Sequence, residues 1–368
     1  MENLLIFQID ENATNSTGIE NSTARFNATT EGMAVAYSSL LLMTLFPIAF
    51  GSFWSVSHVF SATKSKDIET LSGKDAMLFP LYASGALFSI YLVFRFLNKE
   101  YVNFLLAMYF FVIGSIALTR LIAPLLRRAL CLPIANLLYS LLLYEQAADS
   151  SSENTDNSQS SKNIVFDVKF DYFDVIAFVI SGGFGMWYLL KKHWIANNIF
   201  GLTFAVSGVE LLHLNALSTG CILLGGLFFY DIFWVFATDV MVTVAKSFDG
   251  PIKLIFPQDL LENGWNANNF AMLGLGDIVV PGIFIALLLR YDHSRKHGNP
   301  YFYAGFVAYV FGLALTIFVM HTYKHAQPAL LYLVPCCIGF PLFLALIKGD
   351  IKSIFSYRDN PDETKKTD

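Results

Sequence analysis

The chain has 368 residues, of which 55% are hydrophobic and only 14% charged, whereas about 25% of the residues in an ordinary soluble domain are charged. Its mean hydropathy of +0.52 indicates more apolar surface than one protein core can bury, so lipid must solvate part of it. This excludes a single water-soluble globule. The formal net charge of −5, with no basic stripe among the 24 Lys and Arg residues, argues against a nucleic-acid partner.

Apolar runs of about 20 residues, the length that crosses a bilayer as a helix, occur nine times. They lie at 33–56, 76–96, 101–126, 172–190, 199–217, 218–238, 273–290, 301–320 and 328–348. The sequence therefore predicts an all-α polytopic membrane protein with nine transmembrane helices. A tenth run, 129–144, is shorter, follows Arg127 and Arg128 and contains Pro133, so we expect a re-entrant or interfacial segment there.

The two ends of the chain predict its orientation. Four Asn-x-Thr sequons cluster in the polar N-terminal segment, and no other occurs in the chain: Asn12, Asn15, Asn21 and Asn27. They predict a glycosylated, lumenal N-terminus that is not a cleaved signal peptide. Lys365 and Lys366 form a di-lysine close to the C-terminus that resembles a cytosolic retrieval signal for the endoplasmic reticulum. A lumenal N-terminus and a cytosolic C-terminus require an odd number of spans, which nine satisfies.

Polarity divides the chain into five segments. They are a lumenal tail (1–32), an N-terminal three-helix part (33–126), a cytosolic loop (127–170), a C-terminal six-helix part (171–348) and a cytosolic tail (349–368). Within the loop, residues 146–163 are too polar to bury a core, so we expect a disordered linker there. The polar motifs concentrate in the six-helix part.

Two acidic residues lie well inside apolar runs, where a carboxylate is costly and by default indicates a function. Asp231 lies among aromatic residues in the sixth predicted span, and Asp277 lies near the start of the seventh. At about 1.5 Å per helical residue, they fall roughly 10 Å and roughly 6 Å from the lumenal end, so antiparallel neighbours hold them at similar depth. Two facing carboxyls in a low dielectric share a proton, as in aspartic proteases. Depth alone leaves interhelical hydrogen bonding and an ion relay open as alternatives.

Three short motifs occur in order on the later spans: Tyr230-Asp231, Gly274-Leu275-Gly276-Asp277 and Gln327-Pro328-Ala329-Leu330. They resemble the YD, GxGD and PAL motifs of the intramembrane aspartyl proteases, the family that includes presenilin. The resemblance is dense over the six C-terminal spans and loose over the first three. It implies a presenilin-like fold of nine helices in which Asp231 and Asp277 are the catalytic pair.

The resemblance also implies roles for the other motif residues. Those that would shape or support the site are Tyr230, Gly274, Leu275, Gly276, Gln327, Pro328, Ala329 and Leu330. A proline at a helix start leaves backbone groups unpaired, which is tolerated at membrane depth only where protein or a cavity surrounds them. The implied reaction is hydrolysis of peptide bonds within transmembrane segments, which needs no cofactor or metal. The implied substrates are remnant signal peptides and type II membrane anchors in the endoplasmic reticulum.

Other polar residues carry weaker signals. Glu210 and His213 have the E-x-x-H spacing of di-iron bundles, but the motif occurs once, so we expect interhelical hydrogen bonds rather than a metal site. Asp239 lies near the lumenal boundary and is expected to be an interfacial acid. The absence of H-E-x-x-H and G-x-S-G argues against zinc and serine intramembrane proteases. The four cysteines are expected to be buried thiols: Cys131, Cys221, Cys336 and Cys337.

Two functions of other classes remain open from the residues themselves. An ion or proton carrier can use paired intramembrane acids as a cation site, and a noncatalytic scaffold needs neither acid. Binding of an aspartic-protease transition-state analogue distinguishes a hydrolase from a carrier. The expected partners are transmembrane peptides and the lipid bilayer. The oligomeric state is open, and a homo-oligomer is one candidate.

Overall fold

The computed structural model describes most of the chain between Thr29 and Asp359. The described residues are 29–61, 70–130, 139–145, 163–238, 240–264, 267, 269–296, 298–323 and 327–359. The predicted glycosylation sites, the di-lysine and Asp239 lie outside the described residues.

Helices dominate the described chain, and short strands separate some of them. In chain order the elements are α1 (Thr30–Ser61), β1 (Thr70–Leu71), α2 (Gly73–Phe96), α3 (Lys99–Leu130), β2 (Tyr139–Glu145), β3 (Asn163–Phe170), α4 (Tyr172–Lys191), α5 (Trp194–Leu211), β4 (His213–Leu214), α6 (Leu217–Phe236), α7 (Val240–Ser247), β5 (Lys253–Pro257), α8 (Leu260–Asn263), β6 (Phe270–Gly274), α9 (Gly276–Arg295), α10 (Pro300–Tyr323), α11 (Leu330–Lys348) and α12 (Ile351–Ser356).

Seven of the described helices are long and apolar enough to cross a membrane: α1, α2, α3, α4, α6, α10 and α11. Large apolar side chains on their outer surfaces stay exposed, for example Leu81 on α2 and Phe104 on α3. Surfaces of this kind are stable when lipid solvates them. The architecture is therefore that of a helical polytopic membrane protein, as the composition predicts.

Helices α5 and α9 are similar in length to the shorter of these seven, with 18 and 20 residues, but α5 carries two adjacent asparagines and a glutamate, and α9 carries several charged residues. The reason is that they lie inside the bundle. Every residue of α9 from Pro281 to Asp292 is buried, and α1, α5, α6, α10 and α11 pack around it. Gly282 of α9 lies so close to α5 that a Cβ there would be 2.6 Å from Cγ2 of Val209. Protein rather than lipid surrounds both helices, so they tolerate polar side chains.

Three two-stranded sheets occur in the described chain, and the sequence analysis predicted none of them. β1 pairs with β4 in parallel, whereas β2–β3 and β5–β6 are antiparallel. They correct the predicted helix bounds: Leu273 and Gly274 belong to β6, so α9 begins at Gly276. Likewise α5 ends at Leu211, before β4, and does not extend to Leu217. A short apolar strand beside a buried helix reads as one continuous apolar run, so hydropathy alone cannot separate them.

Of the two predictions for 129–144, the structure does not support a re-entrant segment where it describes these residues, and an interfacial segment stays a prediction. Helix α3 continues to Leu130, and Tyr139–Glu145 is strand β2, which pairs with β3. Aromatic and aliphatic residues in β2 suit a strand as well as a membrane segment, so hydropathy alone did not predict this hairpin. The predicted linker overlaps β3 at Asn163, and residues 146–162 lie outside the described part.

The C-terminal segment folds back onto the bundle through a buried ion pair. Asp359 Oδ2 lies 2.7 Å from Nε of Arg290 on α9, and the two side chains are 2% and 0% exposed. The Asp359 amide donates to the carbonyl of Asn215, and Arg290 also donates to Ser55 Oγ of α1. Burial by itself raises the pKa of Asp359, but His213 and Arg290 beside it outweigh burial and hold that pKa below its usual value.

We predict that Asp359→Asn lowers the free energy of unfolding by about 3 kcal/mol, because it leaves the buried Arg290 guanidinium without a counter-charge. The measurement is the thermal stability of the purified full-length protein in detergent. The ion pair contributes above the pKa of an unfolded aspartate, and its contribution is lost as the pH falls through the lowered folded pKa. The difference between wild type and variant should therefore shrink in acid.

A matched control is Asp350→Asn, which breaks another aspartate–arginine pair between the C-terminal segment and α9. Asp350 pairs with Arg295, but these side chains are 21% and 37% exposed, so water screens the interaction. This variant should be much less destabilised than Asp359→Asn. Equal stability losses in the two variants would show that burial of the Arg290 pair has no special importance.

Candidate active site

Asp231 lies on α6 and its side chain is buried, with 4% exposed. Helix α6 is fixed against α2 by two contacts. Gly226 admits Pro80 so closely that a Cβ on Gly226 would lie 2.7 Å from Pro80 Cγ, and Trp234 Nε1 donates to Ser84 Oγ at 3.1 Å. These contacts set the rotation of α6 that turns Asp231 inward.

The partner of Asp231 is the backbone at the start of α11. The amide of Leu330 donates to Asp231 Oδ2 at 3.0 Å. The first amides of a helix have no acceptor within the helix, and the helix N-terminus carries a partial positive charge. Pro328 is buried just before α11 and has no N–H of its own to satisfy. The segment thus offers the carboxylate a directed donor within the bundle.

Asp277 lies in the first turn of α9, directly after β6. Gly274 and Gly276 precede it, and both are exposed. A Cβ at Gly276 would meet no atom within 4 Å, and one at Gly274 would meet only Asp277 Oδ2, at 3.6 Å. The two glycines therefore leave an open strip of backbone beside Asp277. Asp231 lies on α6 and Asp277 on α9, and these two helices pack against each other in the bundle.

The position of Asp277 is fixed by the β5–β6 hairpin, and α5 holds that hairpin in place. Asn198 of α5 bonds both backbone groups of Ile255 in β5: its Nδ2 donates to the carbonyl oxygen at 2.6 Å, and its Oδ1 accepts from the amide at 2.9 Å. Asn197 Nδ2 donates to the carbonyl of Lys253. The sequence analysis missed this pair, although two adjacent asparagines in an apolar helix were a visible signal.

A small cavity of about 30 Å³ opens beside Asp277. Gln327 and Ala329 line it together with apolar side chains from α1 and α10. This volume is enough for a water molecule, and the carboxyl and amide groups on its wall are the polar partners such a water needs. A nucleophilic water can therefore stand next to the acid.

The other predicted site residues lie around these groups. Tyr230 is half-buried beside Asp231 on α6, and the Leu275 amide donates to the carbonyl of Ile252 at 2.9 Å, extending the hairpin. Gln327 Oε1 accepts from the hydroxyl of Tyr332 at 3.3 Å. The structure thus gathers residues of all three motifs around one site.

Glu210 and His213 do not share a helix, contrary to the prediction. Glu210 lies in α5 and His213 in β4, and His213 faces the C-terminal segment, with Nδ1 3.8 Å from Asp359 Oδ2. Among the described residues no group of His, Cys, Asp and Glu could hold a metal ion. Cys337 is buried as expected, and Cys221 and Cys336 are partly buried free thiols.

Comparison with known proteins agrees with this geometry. The family profile described as signal peptide peptidase matches residues 63–361. A protein named signal peptide peptidase from Homo sapiens is 55% identical over 348 residues, covering 94% of this chain and 89% of its own length. The Mus musculus protein of that name is 55% identical over 93% of this chain and 88% of its own.

A more distant relative, a probable intramembrane protease of Schizosaccharomyces pombe, is 32% identical over 92% of this chain and 98% of its own length. The match therefore extends well beyond the three motifs. The chain belongs to the signal peptide peptidase family, and it is an aspartic-type protease that cleaves within the membrane.

Proposed function

We propose that Asp231 and Asp277 are the two catalytic carboxyls of this protease. The observation that carries the proposal is the packing of α6 on α9 inside the bundle: the Leu330 amide orients Asp231 on α6, and Asp277 on α9 lines a cavity of water size. A structural pair of acids needs neither a cavity for water nor an open strip of backbone beside it. Both features are what peptide hydrolysis requires.

The chemistry follows from one proton shared by two acids. The ionised carboxyl takes a proton from a water molecule, and the oxygen of that water attacks the carbonyl carbon of the peptide bond. The protonated carboxyl donates to the carbonyl oxygen, which gives a tetrahedral diol. Collapse of the diol breaks the C–N bond, and the leaving nitrogen receives the proton. The reaction needs only the two carboxyls and water, so we propose no cofactor.

The substrate must unwind locally, because helical hydrogen bonds protect its peptide bonds. Gly274 and Gly276 expose backbone at the place where the unwound segment has to lie. In the described chain β6 pairs only with β5, so its other edge is available to an extended peptide as a further strand. Tyr230, Leu275, Gln327 and Ala329 would then form the walls of the site.

We propose that the substrates are remnant signal peptides and type II membrane anchors. The names of the human and mouse relatives support signal peptides, and the predicted orientation supports helices with cytosolic N-termini. The protein would act in the endoplasmic reticulum membrane, where signal peptides are released and where a di-lysine tail retrieves proteins. A homo-oligomer remains compatible with these functions.

The proposed topology has nine spans, with α5 and α9 added to the seven apolar helices. At about 1.5 Å per residue, α5 and α9 are about 27 Å and about 30 Å long, close to the thickness of the hydrocarbon core. Nine crossings put the first residues of α1 in the lumen and the segment after α11 in the cytosol. The contact of Gly32, at the start of α1, with Gln258 after β5 supports a common side for the N-terminus and the hairpin.

Replacing either catalytic carboxyl should abolish cleavage. We predict that Asp231→Asn and Asp277→Asn each reduce the rate of hydrolysis of a membrane-embedded signal peptide roughly 10³-fold or more. The double variant should be little worse than either single variant, because the two acids act as one unit. The measurement is cleavage by purified protein in detergent or proteoliposomes.

The control for this experiment is Asp239→Asn, which removes the acid nearest to Asp231 in sequence outside the proposed pair. It should retain cleavage near the wild-type rate. Cleavage by Asp277→Asn near the wild-type rate would contradict the protease mechanism. It would favour the carrier hypothesis, in which the acids form a cation site.

The topology makes a separate prediction. Treatment with a glycosidase should lower the apparent mass of the protein expressed in cells, because a lumenal N-terminus exposes its sequons to glycosylation. Replacing Asn12, Asn15, Asn21 and Asn27 together with Gln should remove that shift. A wild-type protein without any shift would contradict the lumenal N-terminus.

Residence in the endoplasmic reticulum should depend on the C-terminal di-lysine. We predict that replacing Lys365 and Lys366 with Ser lets part of the protein reach later compartments, measured by microscopy and by maturation of its glycans. Cleavage activity in the purified variant should not change, since the tail lies far along the chain from the proposed carboxyls. An unchanged distribution would mean that the di-lysine does not act in retrieval.

A further inference from the structure

A second, larger cavity lies between four helices of the bundle. Its volume is about 330 Å³, within the range of roughly 300–1,000 Å³ that is typical of small-molecule sites. Helices α1, α3, α4 and α5 form its walls, and among the described residues it shares no lining residue with the cavity beside Asp277. The second cavity is therefore a site separate from that of the two carboxyls.

This cavity lies at one end of the bundle. Its lining residues near the ends of their helices include Trp54 of α1, Arg127 of α3, Asp174 of α4 and Leu211 of α5. In the proposed topology these helix ends face the cytosol, because α1, α3 and α5 begin at the lumenal side. Tryptophan is enriched at the depth where lipid headgroups lie. The cavity therefore lies at the headgroup level of the cytosolic leaflet.

An ion pair between helices braces one wall of the cavity. Nη2 of Arg127 lies 2.9 Å from Oδ2 of Asp174, and Nε of Arg127 lies 2.9 Å from Oδ2 of Asp171, just before α4. The guanidinium of Arg127 thus has two carboxylates of the protein as partners. It holds the end of α3 against the start of α4.

Two further charged residues line the cavity from facing helices. Arg120 is the one charged residue in the predicted span 101–126, and its exposed side chain makes no ion pair with any described residue. Glu210 of α5 lines the same cavity and is only 9% exposed. Opposite charges on α3 and α5 therefore share one cavity without pairing with each other. A charged residue inside an apolar span is costly and by default indicates a function.

The chemistry of these walls fits a ligand that carries both signs of charge. A guanidinium binds a phosphate through two parallel hydrogen bonds, and the hydroxyl of Ser207, which also lines the cavity, is a further donor. The carboxyl of Glu210 suits an ammonium group, which has only donors. A phosphate and an ammonium joined by a short linker form the headgroup of a zwitterionic phospholipid.

We propose that this cavity binds the headgroup of phosphatidylethanolamine from the cytosolic leaflet, with the phosphate on the Arg120 guanidinium and the ammonium beside the Glu210 carboxyl. The acyl chains would lie along the apolar outer surface of the helices. The inference takes the leaflet from the proposed topology, and it does not depend on the catalytic pair.

The test is lipid binding by the purified full-length protein in detergent, measured by native mass spectrometry. The probe is dioleoylphosphatidylethanolamine, and dioleoylglycerol is the comparison, since it has the same acyl chains but neither phosphate nor ammonium. We expect one molecule of the phospholipid to bind at least about 10-fold more tightly than dioleoylglycerol. Arg120→Gln should weaken phospholipid binding about 10-fold, the effect of losing a hydrogen bond between charged groups.

A second variant tests the ammonium. Glu210→Gln keeps the shape of the side chain and removes its charge, so it should also weaken binding of dioleoylphosphatidylethanolamine about 10-fold. Dioleoylphosphatidylglycerol carries a phosphate but no cation, and its affinity for this variant should stay within about twofold of wild type. The same preparation thus separates the loss of one contact from damage to the fold.

The matched control is Arg128→Gln. Arg128 is an exposed arginine on the same helix, but it does not line the cavity, so its loss should change phospholipid binding less than about twofold. The melting temperature provides a second readout, because a ligand that binds only the folded state stabilises it. Addition of dioleoylphosphatidylethanolamine should raise the melting temperature of wild type and Arg128→Gln more than that of Arg120→Gln.

Three results would overturn the inference. The first is equal affinity of the wild-type protein for dioleoylphosphatidylethanolamine and dioleoylglycerol, and the second is an equal loss of binding in Arg120→Gln and Arg128→Gln. The third is binding of free phosphoethanolamine as tightly as the lipid, which would assign the site to a soluble phosphate compound.

Discussion

The hydrogen bond from the Leu330 amide to Asp231 joins α11 to α6, and the arrangement of the site depends on it. The first amides of α11 have no acceptor within the helix, and a buried amide without an acceptor is costly. A buried carboxylate has the opposite need, for a donor. Burying either the amide or the carboxylate alone costs free energy, so their hydrogen bond determines that the start of α11 faces Asp231 on α6. The carboxyl is held by backbone, which has no rotamer to change.

Asp277, the second acid, is also positioned by hydrogen bonds between a side chain and the backbone, but these act through the β5–β6 hairpin. Asn198 bonds both backbone groups of Ile255, β5 pairs with β6, and β6 leads directly into the turn of α9 that carries Asp277. Polar groups in α5 that would be unfavourable against lipid therefore find partners in a strand. This is why α5, with its two adjacent asparagines, lies inside the bundle, and why the site lies where helix ends and strands replace regular helical packing.

Helix α9 is fixed at its other end by a charge pair. Arg290 lies 13 residues after Asp277, or about 20 Å along the helix, and Asp359 neutralises it from the C-terminal segment. Because Arg290 is fully buried, removing its partner would leave an isolated charge. Asp277 and Arg290 thus lie near opposite ends of one central helix, and the partners of Arg290 come from distant parts of the chain. The hairpin at one end and the ion pair at the other therefore fix the position of α9 along the bundle axis.

The sequence by itself determined the membrane class, the approximate spans, the three motifs and the two acids, because hydropathy and motif spacing are local properties. It could not show that Leu273 and Gly274 form a strand, since an apolar run fits either structure. Nor could it pair Arg290 with Asp359. Those facts follow from contacts between residues far apart in the sequence, such as Arg290 and Ser55, which are 235 positions apart. Only the tertiary structure decides them, because a buried polar group takes its role from the partner that packing brings to it.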